Sequence, residues 1–198
     1  MKMYAFAALA IAVIACYLVF LSLDHHTTNI RRIVLISVMT ALSVSGRFIF
    51  AMVPGFKPMT AIIVLTGMYL GGEAGFLCGA FTALISNIYF GQGPWTPFQM
   101  FAFGILGFIA GMIARPLKRH TALLVIYGII AGVLYSFIMD IWTVLWFSEG
   151  FKIELYIIAL GTAVPYTIAY AVSNVVFLLL FKKPFGKKLG RIVIKYGV

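Results

Sequence analysis

The sequence predicts an all-α, polytopic helical membrane protein, a six-helix bundle preceded by one extra N-terminal transmembrane helix. Three observations carry this expectation. The 198 residues are 63% hydrophobic and only 10% charged, with a mean hydropathy of +1.08; a soluble domain carries about 25% charged residues. The apolar residues gather into runs at about 3–23, 33–53, 59–71, 74–90, 98–114, 121–147 and 155–181, most of them near the ~20 residues that cross a bilayer. Eleven of the fifteen Lys and Arg residues fall in clusters at 31–32, 115–119 and 182–195, between or after those runs, as topogenic charges do. The net charge of +10 is therefore orientational, and no nucleic-acid partner is expected. The runs also lack the alternation of a lipid-facing barrel strand.

Counted from zero to six, the runs divide the chain into an extra N-terminal span with its linker (1–30), a six-span substrate-binding membrane domain (31–183) and a basic cytoplasmic tail (184–198). Span zero carries Val13-Ile14-Ala15-Cys16, which has the look of a lipoprotein cleavage box, but the apolar run continues through 17–23, where a cleaved signal turns polar. With Arg31 and Arg32 inside, the odd spans exit and the even spans return, so the three basic clusters all lie inside and the N-terminus outside. Span two is short: 13 residues reach only ~20 Å, less than the ~30 Å hydrocarbon core. Either it packs inside the bundle beside thinner membrane or it forms a hairpin with span three at Gly71-Gly72. Spans three and four are joined outside by 91–97, and spans five and six by a loop holding Lys152.

Ionisable residues inside a span are costly and point to function. Two stand out. Arg47 and Asp140 lie at similar depth toward the outer ends of spans one and five, as ligand anchors or as each other's partner. Helical spacing puts Thr40, Ser43, Arg47 and Phe50 on one face of span one, and Ser136, Asp140 and Thr143 on one face of span five. Thr162, Tyr166, Tyr170 and Ser173 make a stripe on span six. Away from Arg47, Ser37, Ala41 and Ser45 form a small-residue line that lets another helix approach closely. The outer segment Gly91-Gln92-Gly93-Pro94-Trp95-Thr96-Pro97-Phe98-Gln99-Met100 combines a fixed loop path with hydrogen-bonding groups and a flat indole, which suits binding of a neutral or amphipathic ligand. Pro54-Gly55-Phe56-Lys57-Pro58 has the same character, and Asn87 and Tyr89 end span three beside the first loop. The sequence has no Gly-x-x-x-x-Gly-Lys-[Ser/Thr] loop, no histidine inside a span and no pair of intramembrane carboxylates. It therefore gives no catalytic or metal site, and Cys16 and Cys78, in separate runs, indicate neither a disulfide nor a metal.

On these residues the chain resembles the S-component, the substrate-binding membrane subunit, of an energy-coupling factor (ECF) vitamin transporter, over roughly 31–183. The six spans, the line Ala41-x-x-x-Ser45 preceded by Ser37, and the long outer loop between spans three and four carry the resemblance. Gly46-Arg47-Phe48, the 54–58 segment and the 91–97 segment are similar to the cobalamin-type branch. The resemblance implies a high-affinity importer subunit in a bacterial plasma membrane, not an enzyme. It implies cobalamin or another corrinoid as the transported ligand and no intrinsic cofactor. Its partners would be an ECF transmembrane coupling protein and two ATPase subunits, on which it docks and topples, ATP being used only by the ATPases. The expected substrate-binding residues are Arg47, Phe50, Phe56, Lys57, Asn87, Tyr89, Gln92, Trp95, Thr96, Gln99, Tyr135, Asp140 and Tyr166, with Trp95 as the main apolar platform. Ser37, Ala41 and Ser45 form the expected coupling-protein docking line. The alternatives are an S-component for another vitamin or cofactor precursor, or a proton-coupled carrier using Asp140.

Overall fold

The computed structural model describes residues 30–148 and 150–196, together with eight helical positions between 6 and 17. Most of the expected span zero, and the linker after it, lie outside the described residues. Between short irregular connections the described chain is helical: α1 (Ile30–Ile49), α2 (Met59–Leu70), α3 (Gly72–Phe90), α4 (Thr96–Met112), the short α5 (Ala114–Arg119), α6 (Thr121–Phe147) and α7 (Ile153–Tyr196). Four of these, α1, α3, α6 and α7, are long and apolar enough to cross a membrane, and α2 and α4 are shorter apolar helices. The protein is a multi-pass helical membrane protein.

Glycines set the joints. Gly71, at φ 97°, ends α2 and begins α3, and Gly91, at φ 108°, ends α3; both need the left-handed region that favours glycine. Proline near the first position starts α4, where no helical N–H is lost. The short α2 packs inside the bundle and also pairs with α3. It turns into α3 at Gly71-Gly72, and all its residues from 59 to 68 are buried. A helix apolar on every side belongs at the centre of a bundle, so α2 never has to match the bilayer thickness.

Backbone contact holds the centre together. A Cβ on Gly107 of α4 would lie 2.3 Å from the Gly75 carbonyl oxygen of α3, and one on Gly67 of α2 would lie 2.0 Å from the Gly107 carbonyl oxygen. Three helices thus cross where no side chain fits, the form of packing that replaces the hydrophobic effect between helices in lipid.

Residues 184–196 of the expected tail continue the last helix. One helix runs from Ile153 to Tyr196, with Pro165 and Pro184 inside it, about 66 Å at 1.5 Å per residue. Pro184 reads in sequence as a stop, but Phe181, Phe185, Leu189 and Val193 recur every four residues and pack on the core. That stripe keeps the helix seated beyond the proline, and Gly186 lies against Tyr69 near the end of α2.

The basic clusters gather at one end of the bundle. Arg32 donates to the Leu70 carbonyl and pairs with Glu73 at 3.3 Å. The Lys118 ammonium lies 4.6 Å from the Tyr69 ring centre, and Lys182 donates to Thr121. The ends of α1 and α3, the start of α4 and the 50–58 segment form the opposite end.

Gly107→Val should therefore lower stability by about 3 kcal/mol or more, because the backbone opposite cannot yield as a side chain can. Gly161→Ala, where an added Cβ meets nothing within 4 Å, should be neutral or stabilising by up to about 1 kcal/mol. Unfolding of the detergent-solubilised variants checks both.

Candidate functional site

At the end away from the basic clusters, the helices enclose a recess of about 560 Å³ counting its open mouth. Its wall contains Arg47 of α1, Gly55 and Lys57 of the 50–58 segment, Met59 and Thr60 of α2, Gln99 and Phe103 of α4, Gly132 and Tyr135 of α6, and Tyr170 and Asn174 of α7.

A hydrogen-bonded relay behind the wall ties the helices together. Arg47 Nη1 donates to Ser86 Oγ and, at 2.8 Å, to Asn87 Oδ1. Asn87 is 1% exposed. Its Nδ2 donates to Thr96 Oγ1 at 3.1 Å and to Gln99 Oε1 at 2.7 Å. Gln99 Nε2 then donates to Tyr135 Oη at 2.8 Å. Arginine can only donate, so it fixes which way Asn87 faces. Asn87 in turn fixes Gln99, and the Tyr135 oxygen must accept. The Tyr135 proton is left to donate elsewhere. Tyr135 also stacks on Phe103, with centroids 4.4 Å apart, and meets the Tyr170 ring edge-on at 5.2 Å.

The 50–58 segment is seated from both sides. Gly55, at φ 71°, passes so close to α7 that a Cβ would lie 2.7 Å from that of Ala169. Ser173 clamps the main chain of Lys57, accepting from its N–H at 2.8 Å and donating to its carbonyl at 2.9 Å. The Lys57 side chain thereby reaches the recess, where burial, and secondarily the charge of Arg47, push its ammonium below its ordinary value. Gly132 lets α7 approach α6, and Asn174 donates to the Gly128 carbonyl at 3.1 Å.

Of the residues expected from sequence, Arg47, Lys57, Gln99 and Tyr135 line the recess, and Asn87 and Thr96 stand behind them in the relay. The others are elsewhere, each for a packing reason. Phe50 and Phe56 pack on Phe177, both at 5.1 Å, and anchor the loop to α7. Trp95 is 41% exposed and its ring covers Gly93, so the indole folds onto its own loop. Gln92 donates to the Leu84 carbonyl and accepts from Thr96, closing that loop. Tyr89, 73% exposed, packs tilted on Phe48 and edge-on to Phe90. Tyr166 is 54% exposed, one helical turn from Tyr170. Asp140 accepts from Ser136 and does not meet Arg47. Met59, Thr60, Phe103, Gly132 and Asn174 line the recess without having been expected there. Tyr170 was visible only as part of a polar stripe.

Asn87→Leu should cost about 2–4 kcal/mol of stability, since it takes one hydrogen-bond partner each from Arg47, Thr96 and Gln99 in a buried wall. Trp95→Ala should cost less than about 1.5 kcal/mol, because much of its ring is already in solvent. Thermal or denaturant unfolding of the two variants separates them.

Comparison with known proteins gives one family. The model for the ECF-type riboflavin transporter S component matches residues 27–189. No curated protein and no solved structure matches the chain. The match supports the expected S-component and its ECF module, a coupling protein with ATPases. It does not support the cobalamin-type branch, because the matching family is described by riboflavin. The family is one of transporter subunits, not enzymes. With most of its length covered by that match, the chain belongs to the ECF-type riboflavin transporter S component family.

Proposed function

We propose that the recess captures riboflavin from outside the cell and that the chain hands it to an ATP-driven coupling module. The observation that carries this reading is the directed relay ending on Tyr135. It leaves a hydroxyl proton to donate beside an aromatic wall of Phe103, Tyr135 and Tyr170. A flavin has a planar ring system that such a wall can cover and carbonyl oxygens on one edge that accept hydrogen bonds. A corrinoid, with its macrocycle, peripheral amides and nucleotide loop, is far bulkier than a flavin. In this reading the basic end faces the cytoplasm, in line with the positive-inside rule, and the recess opens outward.

The docking line belongs to the same reading. Ser37, Ala41 and Ser45 are exposed on α1, whereas Thr40 and Ser43 are buried. Val34, Val38 and Leu42 are exposed beside the line, so small residues lie in an apolar strip suited to a second transmembrane helix. Release of ligand inside then follows from docking on the coupling protein, with ATP hydrolysed by the partner subunits.

Titration of the purified chain with riboflavin should show saturable, high-affinity binding. Gln99→Ala should raise the dissociation constant at least tenfold, or about 1.4 kcal/mol, whereas Trp95→Ala should change it less than about threefold. Ala41→Leu should keep riboflavin binding and abolish co-purification with the coupling protein, because a bulky side chain holds two helices apart. Unchanged co-purification of the Ala41→Leu chain with the coupling protein would contradict the assignment of that face.

A further inference from the structure

The recess is one-sided in charge. Arg47 and Lys57 line it, and none of its other lining residues is a carboxylate. Asp140 lies nearby on α6 but is bonded to Ser136. Both cations lie over the ring of Phe90. Its centre is 4.7 Å from the Arg47 guanidinium carbon and 5.6 Å from Lys57 Nζ. An aromatic face attracts a cation only weakly compared with a charged partner. Placing two cations around one ring therefore leaves most of their charge uncompensated. Two like charges in a partly desolvated wall also repel each other; burial first, and the charge of Arg47 second, depress the Lys57 ammonium.

The recess is one-sided in hydrogen bonding as well. Arg47 commits Nη1 to Ser86 and Asn87, so Nε and Nη2 keep three donors that make no bond among the described residues. Lys57 brings three more on Nζ, and Tyr135 a hydroxyl proton. The acceptors in the lining are neutral: the Thr60 and Tyr170 hydroxyl oxygens and the Asn174 side-chain oxygen, whose amide nitrogen is already spent on Gly128. A neutral flavin would satisfy some of these donors through its ring carbonyls. Its polyol chain, which donates as well as it accepts, would neutralise neither cation.

We infer that the recess is built for a ligand with an acidic group, and that it takes the phosphate monoester of the flavin in preference to neutral riboflavin, with the phosphate between Arg47 and Lys57. This rests on the flavin-capture reading above. Arginine's planar fork can grip two phosphate oxygens while lysine supplies a point charge. The charge-assisted bonds so formed are shorter and stronger than those to a hydroxyl. The dianion also removes the repulsion between the two cations. Because Ser173 holds Lys57 by its main chain, the side chain can be changed without unseating the loop.

The test is paired titration of the full-length purified chain with riboflavin and flavin mononucleotide, at low and high ionic strength. Flavin mononucleotide should bind at least about tenfold tighter at low salt, and the ratio should narrow as salt screens the charges. Lys57→Gln should bring the ratio to within about threefold, and Lys187→Gln, on the basic end, should leave it as in the parent. Riboflavin binding as tightly as its phosphate, or a ratio indifferent to Lys57→Gln, overturns the inference while leaving riboflavin capture standing. Failure of both flavins to bind overturns the flavin reading and this inference with it.

Discussion

Arg47 is the constraint on which the site depends. It is a permanent cation near the end of a membrane-spanning helix, and it can donate hydrogen bonds but not accept them. Leaving it unpartnered in a low-dielectric wall would cost several kcal/mol. The chain answers with neutral acceptors and an aromatic face, Ser86, Asn87 and Phe90, and not with a carboxylate. Hydrogen bonds to a charged group contribute about 1.5–3 kcal/mol each, enough to hold the guanidinium in place. They do not cancel its charge. The result is a cation that is positioned yet still available, which is what a binding site requires and what a structural ion pair would remove.

The same residue gives the wall its direction. Through Asn87, Gln99 and Tyr135 the donor-only character of Arg47 passes from α1 through α3 and α4 to α6. Each amide has only one orientation that satisfies both neighbours. The relay needs the helices in fixed register, and the glycine crossings of α2, α3 and α4 supply that rigidity, because backbone pressed on backbone cannot slide by a rotamer change. Packing of small residues and hydrogen bonding of polar ones are thus two parts of one device.

Much of the bundle was legible in the sequence, because membrane helices are written as long apolar runs with charges between them. Five of the six runs of the bundle end within a few residues of the helices observed, and the sixth fails at its C-terminal end. There the local signals Lys182-Lys183-Pro184 mark a stop, while the stripe of Phe181, Phe185, Leu189 and Val193 that carries the helix onward acts through tertiary contact. At the site, Arg47, Lys57 and Gln99 stood out as polar groups in or beside apolar spans, and Tyr135 as a ring able to cover apolar ligand surface. Trp95 and Tyr89 were conspicuous for their chemistry, but where an aromatic ring points depends on what packs against it, and Gly93 and Phe48 decided that. Phe103, Met59 and Gly132 had no sequence signal, since an apolar or small residue in an apolar run resembles its neighbours. Asn174 sits one residue, or about 100° of helix, beyond the Ser173 that ended the polar stripe.

The central claim is that the recess ordered by Arg47 holds the transported vitamin. The structure of the chain determined with riboflavin bound tests it most directly. The account predicts the flavin rings within about 4 Å of Gln99, Phe103, Tyr135 and Tyr170, with a ring oxygen accepting from the Tyr135 hydroxyl. A flavin lying against Trp95 and Gln92, with the recess beneath it unfilled, would contradict it.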